Sequence, residues 1–350
     1  MADRAPSVSL PASQPAPKAL AADAPPRRVR STSSASRFGD RVYVAVTFLA
    51  SLSIFAIILW LIWQLTAASQ LSLHRFGLSF LTGSAWDETS DLYHAKPFIF
   101  GTLYSSLIAL ILAVPVSVGA AVFLSELAPR WVRTPATFLI ELLAAIPSVV
   151  YGLWGIFILI PFLKAAVVKP VVNSRLPHLP VIGGLFTGQS AGYSMLAAGV
   201  ILAIMITPFI TAVTRDILRA IPRAQREGSY ALGATQWEAI SQVVIPYAKS
   251  GIIGAIVLGL GRALGETMAV TMLIGNQSPN TPSGISLSVF DTGYTMSSVL
   301  ANKFNESSVG SLNQSSLVEI GLVLFGVTIV VNIFARLLVF YTAKDVQGGK

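Results

Sequence analysis

The chain contains no cysteine, which excludes disulfides, thiolate catalysis, zinc–cysteine sites and iron–sulfur clusters. Histidine is almost as scarce, at 3 in 350 residues, so no metal site is expected. Charge is the third shortage. Asp, Glu, Lys and Arg make up 11% of the residues while hydrophobic residues make up 53%. With a mean hydropathy of +0.69, that balance rules out an ordinary soluble globular protein and implies an integral membrane protein.

What charge there is leans basic, with a net charge of +8. Residues 1–40 are rich in Pro, Ala and Ser and end in "RRVRSTSSASRFGD", with no periodic apolar pattern able to bury a core; they read as a disordered basic tail. The first apolar run, Val42 to Trp63, carries no charged residue and is too long for the core of a signal peptide. Five more runs follow, at Pro97 to Ser125, Thr134 to Leu163, Tyr193 to Thr214, Gly251 to Gly275 and Leu317 to Ala343. At about 1.5 Å per residue each can cross a hydrocarbon layer of about 30 Å. The expected fold is an all-α polytopic membrane protein with six transmembrane helices over 41–343, kinked at Pro115, Pro147 and Pro208, and a short tail from 344 to 350.

The basic residues are unevenly placed around these spans. Of the 24 Lys and Arg, 16 lie in the tail up to Arg41, in 126–133, in 215–250 and from 344 onward, whereas 6 lie in the alternate loops 64–96, 164–192 and 276–316. The positive-inside rule then puts both termini in the cytoplasm and accounts for the basic balance without nucleic acid.

One stretch on the cytoplasmic side, about 223–247, has a pattern of its own. In "TQWEAISQVVIP", Trp237, Ile240, Val244 and Ile245 approximate one helical face, with Gly233 and Thr235 supplying a turn and a cap before it. Periodicity alone fits an amphipathic helix lying on lipid. The segment also resembles the coupling-loop motif of ABC importer permeases: Glu227 leads a triplet, Gly233 follows it by four residues, and Pro246 closes the stretch. The resemblance implies a short helix that inserts into a groove of a cytoplasmic ATP-binding subunit. Two alanines of the motif are replaced by Gly228 and Ser229. No GxxxxGK[ST] loop occurs in the chain, so ATP and Mg would be bound by that partner and this chain would catalyse nothing itself.

"GLGRALGETMAV" places Arg262 and Glu266 inside an apolar run. A charge at mid-membrane costs about 2.5–3.5 kcal/mol on insertion scales, which makes such a residue functional by default. On a continuous helix the two share a face at i and i+4, and either neutralise each other or bind a ligand. A guanidinium offers a rigid fork of donors to tetrahedral oxyanions. A carboxylate beside it accepts the proton that phosphate retains and repels sulfate, which has none.

"GRALGETMAV", "ELLAAIPSVVYGLWG", and "FLTGSAWD" followed by "PFIFGTLYSS" are together similar to the permease subunits of phosphate-specific ABC importers, over about residues 40–343. The resemblance implies a type I importer permease in a bacterial cytoplasmic membrane, with Arg262 and Glu266 in the substrate path. It also implies a sister permease, a dimer of ATP-binding subunits and an extracytoplasmic phosphate-binding protein as partners. The outer loops carry Trp86, Asp87, Glu88, Asp91, Asp291 and Glu306 to meet the last of these.

Glu141 is a third candidate for the substrate path, either paired with Arg262 across helices or hydrated near the cytoplasmic end. Pro147, six residues later, is either a hinge or a static packing kink. Arg336 reads as a snorkelling anchor near the end of the last span. Asn-x-Ser patterns at Asn276, Asn305 and Asn313 have little meaning in a bacterial setting. A sister phosphate permease, a sulfate or molybdate permease, a secondary anion transporter and a nonconducting scaffold remain alternatives. The secondary transporter is disfavoured by the absence of visible internal repeats.

Overall fold

A computed structural model describes residues 34–174, 177, 183–187, 192–277 and 285–347. Residues 1–33 of the expected tail and 348–350 lie outside the described residues. The chain divides into a unit up to Leu59 and a unit from Trp60 onward. The described part of the first unit is helical: α1 runs Ser34–Ala68, starting inside the segment read as tail.

Six helices among the described residues are long and apolar enough to cross a membrane: Gly39–Ala68, Lys96–Leu127, Ser148–Val172, Met195–Ala220, Gln236–Gly265 and Leu312–Tyr341. In chain order the elements used below are α1, α2 (Gln70–Phe76), the strands β1 (Trp86–Asp87) and β2 (Leu92–Tyr93), and α3 (Lys96–Leu127). They continue with α4 (Arg130–Ala145), α5 (Ser148–Val172), α6 (Met195–Ala220), α7 (Arg223–Ala231) and α8 (Gln236–Gly265). The last are α9 (Met268–Leu273), α10 (Met296–Lys303) and α11 (Leu312–Gln347).

The core of the second unit forms around α6. Its Ala198, Leu202, Ile206 and Ile210 pack with Ile108 and Ala113 of α3 and with Ala255 and Ala263 of α8. Gly259 of α8 lets that helix approach closely, since a Cβ there would stand 2.6 Å from Ile210. The two-residue strands pair antiparallel, Trp86 opposite Tyr93, and Trp86 stacks edge-on against Tyr93 and Phe98.

Two expected spans are shaped differently. The run from Thr134 to Leu163 is two helices, because the backbone is extended at Ile146 (φ −64°, ψ 131°) and Pro147 (φ −59°, ψ 139°). A proline disfavours helical geometry in the residue before it, so Pro147 starts a span where a kink within one was expected. The run from Gly251 to Gly275 also breaks: α8 ends at Gly265 and α9 starts at Met268. Pro115 and Pro208, in contrast, stay inside their helices.

Pro246 does not close the coupling helix, which continues through it into the membrane span. The reason is a π-helical turn at Ala239–Val244, whose wider ring makes room for the missing amide and the bulk of the pyrrolidine. The same device recurs. The π-turns at Gly155–Leu159 and Lys164–Val168 likewise end two residues before Pro161 and Pro170, through which the helix continues, whereas the π-turn at Phe123–Leu127 ends α3, with Ala128 and Pro129 extended.

Candidate functional site: two facing helix breaks

The two breaks lie against each other. A Cβ on Gly152 would meet Met272 and Ala269, and one on Gly155 would stand 2.6 Å from Leu273, so the start of α5 packs directly on α9. Tyr151 ties the first break together by donating its hydroxyl to the Leu143 carbonyl at 2.9 Å. The first amides of α5 have no side-chain cap and no acidic residue in their turn, which leaves the positive end of that helix open.

The second break is built around Glu266. Its backbone is extended (φ −70°, ψ 125°) and its Oε1 accepts the Ala269 amide at 3.2 Å, so the carboxylate caps the next helix. The Ser297 hydroxyl of α10 donates to the Glu266 carbonyl at 2.9 Å, occupying the group that a continuing helix would have used. Arg262 and Glu266 therefore do not share a helical face, and among the described residues no ion pair joins them. Arg262 sits in the last turn of α8, where its charge complements the negative helix end. Its guanidinium lies over the Phe209 ring at 5.8 Å and has no carboxylate partner among the described residues. The unpaired guanidinium and the uncapped start of α5 each offer donors of the kind an oxyanion takes, whereas the start of α9 is occupied by the Glu266 carboxylate.

The family model for the binding-protein-dependent transport system inner membrane component matches residues 113–344. The chain is 43% identical over 302 residues to the phosphate transport system permease protein PstC of Haemophilus influenzae, covering 86% of this chain and 93% of that one. It is 40% identical over 265 residues to the phosphate transport system permease protein PstC 1 of Mycobacterium tuberculosis, covering 75% and 77%. The chain belongs to the PstC permease family. Its fold is that of a chain in the crystal structure of a bacterial ABC transporter involved in the import of the acidic polysaccharide alginate. There the TM-score is 0.52 and the identity 15%, over 86% of this chain and 99% of that one. This PstC-family chain is accordingly a multi-pass, non-catalytic permease subunit of an ABC importer, an architecture that joins permease, ATPase and binding protein.

In this permease Glu141 belongs to none of the six long apolar helices. It lies on α4 and pairs with Arg215 of α6 at 3.2 Å, so of the two alternatives the partnership with Arg262 is not formed. The Arg215 side chain is 6% exposed and also meets Asp216 at 2.8 Å, while both carboxylates are more than half exposed. Sequence reasoning missed Arg215 by counting it as a loop charge. Its place at the end of an apolar run, one residue after Thr214, was the available signal.

The 223–247 stretch is a helix–turn–helix, as its Gly233 and Thr235 imply. Gly233 adopts φ +87°, which favours glycine, and Thr235 and Glu238 form a reciprocal capping box at the start of α8. Glu227 is exposed on α7. Leu232 at the turn is 91% exposed and Trp237 64%, an apolar ridge left uncovered by the described residues. The stretch is anchored by Arg226, which grips Glu126 at the end of α3 through two bonds of 2.7 and 3.1 Å. The same guanidinium donates to the carbonyls of Ile221 and Leu218. Nothing in the motif spacing pointed to Glu126 or Arg226.

At the other end of the spans Asp87 and Glu88 are engaged within the chain. Asp87 accepts from Thr89 and Ser90, bonds that hold its carboxyl down at about 2. Glu88 pairs with Lys303 of α10 at 2.9 Å.

Proposed function

We propose that this chain imports inorganic phosphate across the bacterial cytoplasmic membrane as one permease of an ATP-driven importer, with the anion passing Arg262 and Glu266. The observation that carries the reading is an Arg262 guanidinium that lies over Phe209 with no carboxylate partner among the described residues, in the last turn of α8 just before the Glu266 break. Kinship with permeases named for phosphate transport agrees with it. Arg262 meets the oxyanion with a planar fork. Glu266, whose Oε1 is held by Ala269, accepts the proton that phosphate keeps and sulfate lacks. The Glu141–Arg215 pair flanks the same path nearer the cytoplasm, and the break at Pro147 is where α4 and α5 hinge about each other.

The partners follow from that reading. A PstA-like sister permease completes the path, a PstB-like ATPase dimer binds ATP and Mg, and a PstS-like protein delivers phosphate to the outer face. Glu227, Gly233 and Pro246 belong to the segment that docks the ATPase, with the Leu232 and Trp237 ridge as its apolar contact. Both termini are cytoplasmic, as the distribution of Lys and Arg favours.

Uptake of labelled phosphate and labelled sulfate by Arg262→Lys and Glu266→Gln tests the site, at matched membrane levels and with the ATPase bound. Arg262→Lys keeps the charge but loses the fork, so phosphate uptake falls at least tenfold. Glu266→Gln removes the repulsion, so sulfate exclusion weakens more than assembly does. Normal phosphate uptake by the first together with intact exclusion by the second would falsify the assignment.

A further inference from the structure

A groove of about 770 Å³ runs between α6, α8 and α11, floored by Gly251, Gly254 and Ala255. Its walls are aliphatic, with two exceptions: Asn332 and Arg336, one helical turn apart on α11. Every lining residue lies in a helix long and apolar enough to span the membrane, so the groove opens where hydrocarbon chains are. Arg336 is exposed and has no ion-pair partner among the described residues.

We propose that this groove is a binding site for a glycerophospholipid with an anionic headgroup. An acyl chain fills the aliphatic trough, and Arg336 with Asn332 holds the phosphate. The argument is complementarity on both counts. A solitary cation at the rim of an apolar trough matches an amphiphile with one negative end and a hydrocarbon body, and matches neither a free anion nor a neutral lipid. The lining comes from the C-terminal part of α6 (Val213, Ile217), the membrane entry of α8 and the C-terminal part of α11. These are the inner ends of the spans in the proposed orientation, facing the cytoplasmic leaflet with its negative surface potential. The inference rests on the spans and their orientation, and is independent of the phosphate reading of Arg262.

Gly254 offers a place to fill the groove, because a Cβ built there meets nothing within 4 Å. The assembled importer is purified in mild detergent from cells expressing wild type, Arg336→Gln or Gly254→Phe, and its retained lipid is measured by mass spectrometry. Wild type retains phosphatidylglycerol at about one molecule per chain above the zwitterionic background. Arg336→Gln lowers this at least fivefold, and Gly254→Phe abolishes it. In nanodiscs, a photoactivatable phosphatidylglycerol labels groove residues of the wild type and a phosphatidylcholine probe does not. Equal retention of both lipids, unchanged phosphatidylglycerol in Arg336→Gln, or labelling confined to other surfaces overturns the proposal. So does crosslinking that shows a helix of another subunit filling the groove. Should Gly254→Phe fail to assemble, Arg336→Gln alone decides.

Discussion

The hydroxyl of Ser297 donates to the backbone carbonyl of Glu266 at 2.9 Å, joining the end of α8 to a residue 31 positions further along the chain. It satisfies a carbonyl that the helix break leaves without an intrahelical partner. Ser297 is 5% exposed, so Ser297→Ala leaves that carbonyl unmet at a cost of about 1–3 kcal/mol. The expected outcome is a lower thermal midpoint of the purified importer and reduced phosphate uptake at matched membrane levels. An unchanged midpoint would mean that the break is held without this bond.

This bond also marks where sequence reading stops. The six spans were legible because hydropathy and length decide them, and the Gly233 turn was legible because few residues accept a positive φ. The breaks were not. Hydropathy sees no difference between Ala145 inside a helix and Ile146 outside one, and the end of α8 depends on Ser297, which no local pattern links to Glu266. Arg262 and Glu266 were found for their chemistry, yet their expected i, i+4 geometry assumed the very helix that stops between them. For Glu141 the sequence left open a pairing with Arg262 or hydration near the cytoplasmic end; its partner in the structure, Arg215, is 74 residues away.

That pairing makes a quantitative prediction. In a double-mutant cycle read by thermal stability, Glu141→Gln and Arg215→Gln show a coupling energy of about 1 kcal/mol, small because the carboxylate is 56% exposed. Glu141→Gln and Arg262→Gln, with no contact between them, add within about 0.5 kcal/mol. A coupled Glu141–Arg262 cycle would show that the pair forms after all.

Orientation is checked by accessibility, and the lack of native cysteine makes the experiment clean. Val309 is 93% exposed in the stretch before α11, and Gln225 is exposed on α7. Val309→Cys reacts with an impermeant thiol reagent from outside intact cells, whereas Gln225→Cys reacts only after the membrane is opened. The reverse pattern inverts the topology and removes the ATPase from the α7–α8 turn.

The turn itself offers a sharper variant. Leu232 is too exposed to stabilise the isolated permease, so Leu232→Ala leaves its stability within about 0.5 kcal/mol while weakening co-purification of the ATPase at least fivefold. Gly233→Arg has the same effect on docking with an added backbone cost, because a side chain at φ +87° is strained. Full ATPase recovery with Leu232→Ala would place the docking contact elsewhere.

Arg226 and Glu126 carry the last test, since they connect the turn to the spans. The Arg226 side chain is 19% exposed and that of Glu126 11%, and the guanidinium serves two carbonyls as well as the carboxylate. Removing one partner from a largely buried pair costs about 3–5 kcal/mol, so Arg226→Ala reports mainly on folding. Arg226→Lys is more informative: it keeps the charge near Glu126 but cannot reach the carboxylate and both carbonyls at once. If the pair transmits motion from the α7–α8 turn to α3, Arg226→Lys keeps ATPase binding and nucleotide hydrolysis but lowers the phosphate moved per ATP hydrolysed. Reconstituted vesicles give both rates in one preparation. A proportional fall in hydrolysis and uptake means that the pair only holds the turn in place, whereas a fall in uptake alone means that the grip on Glu126 is part of the drive.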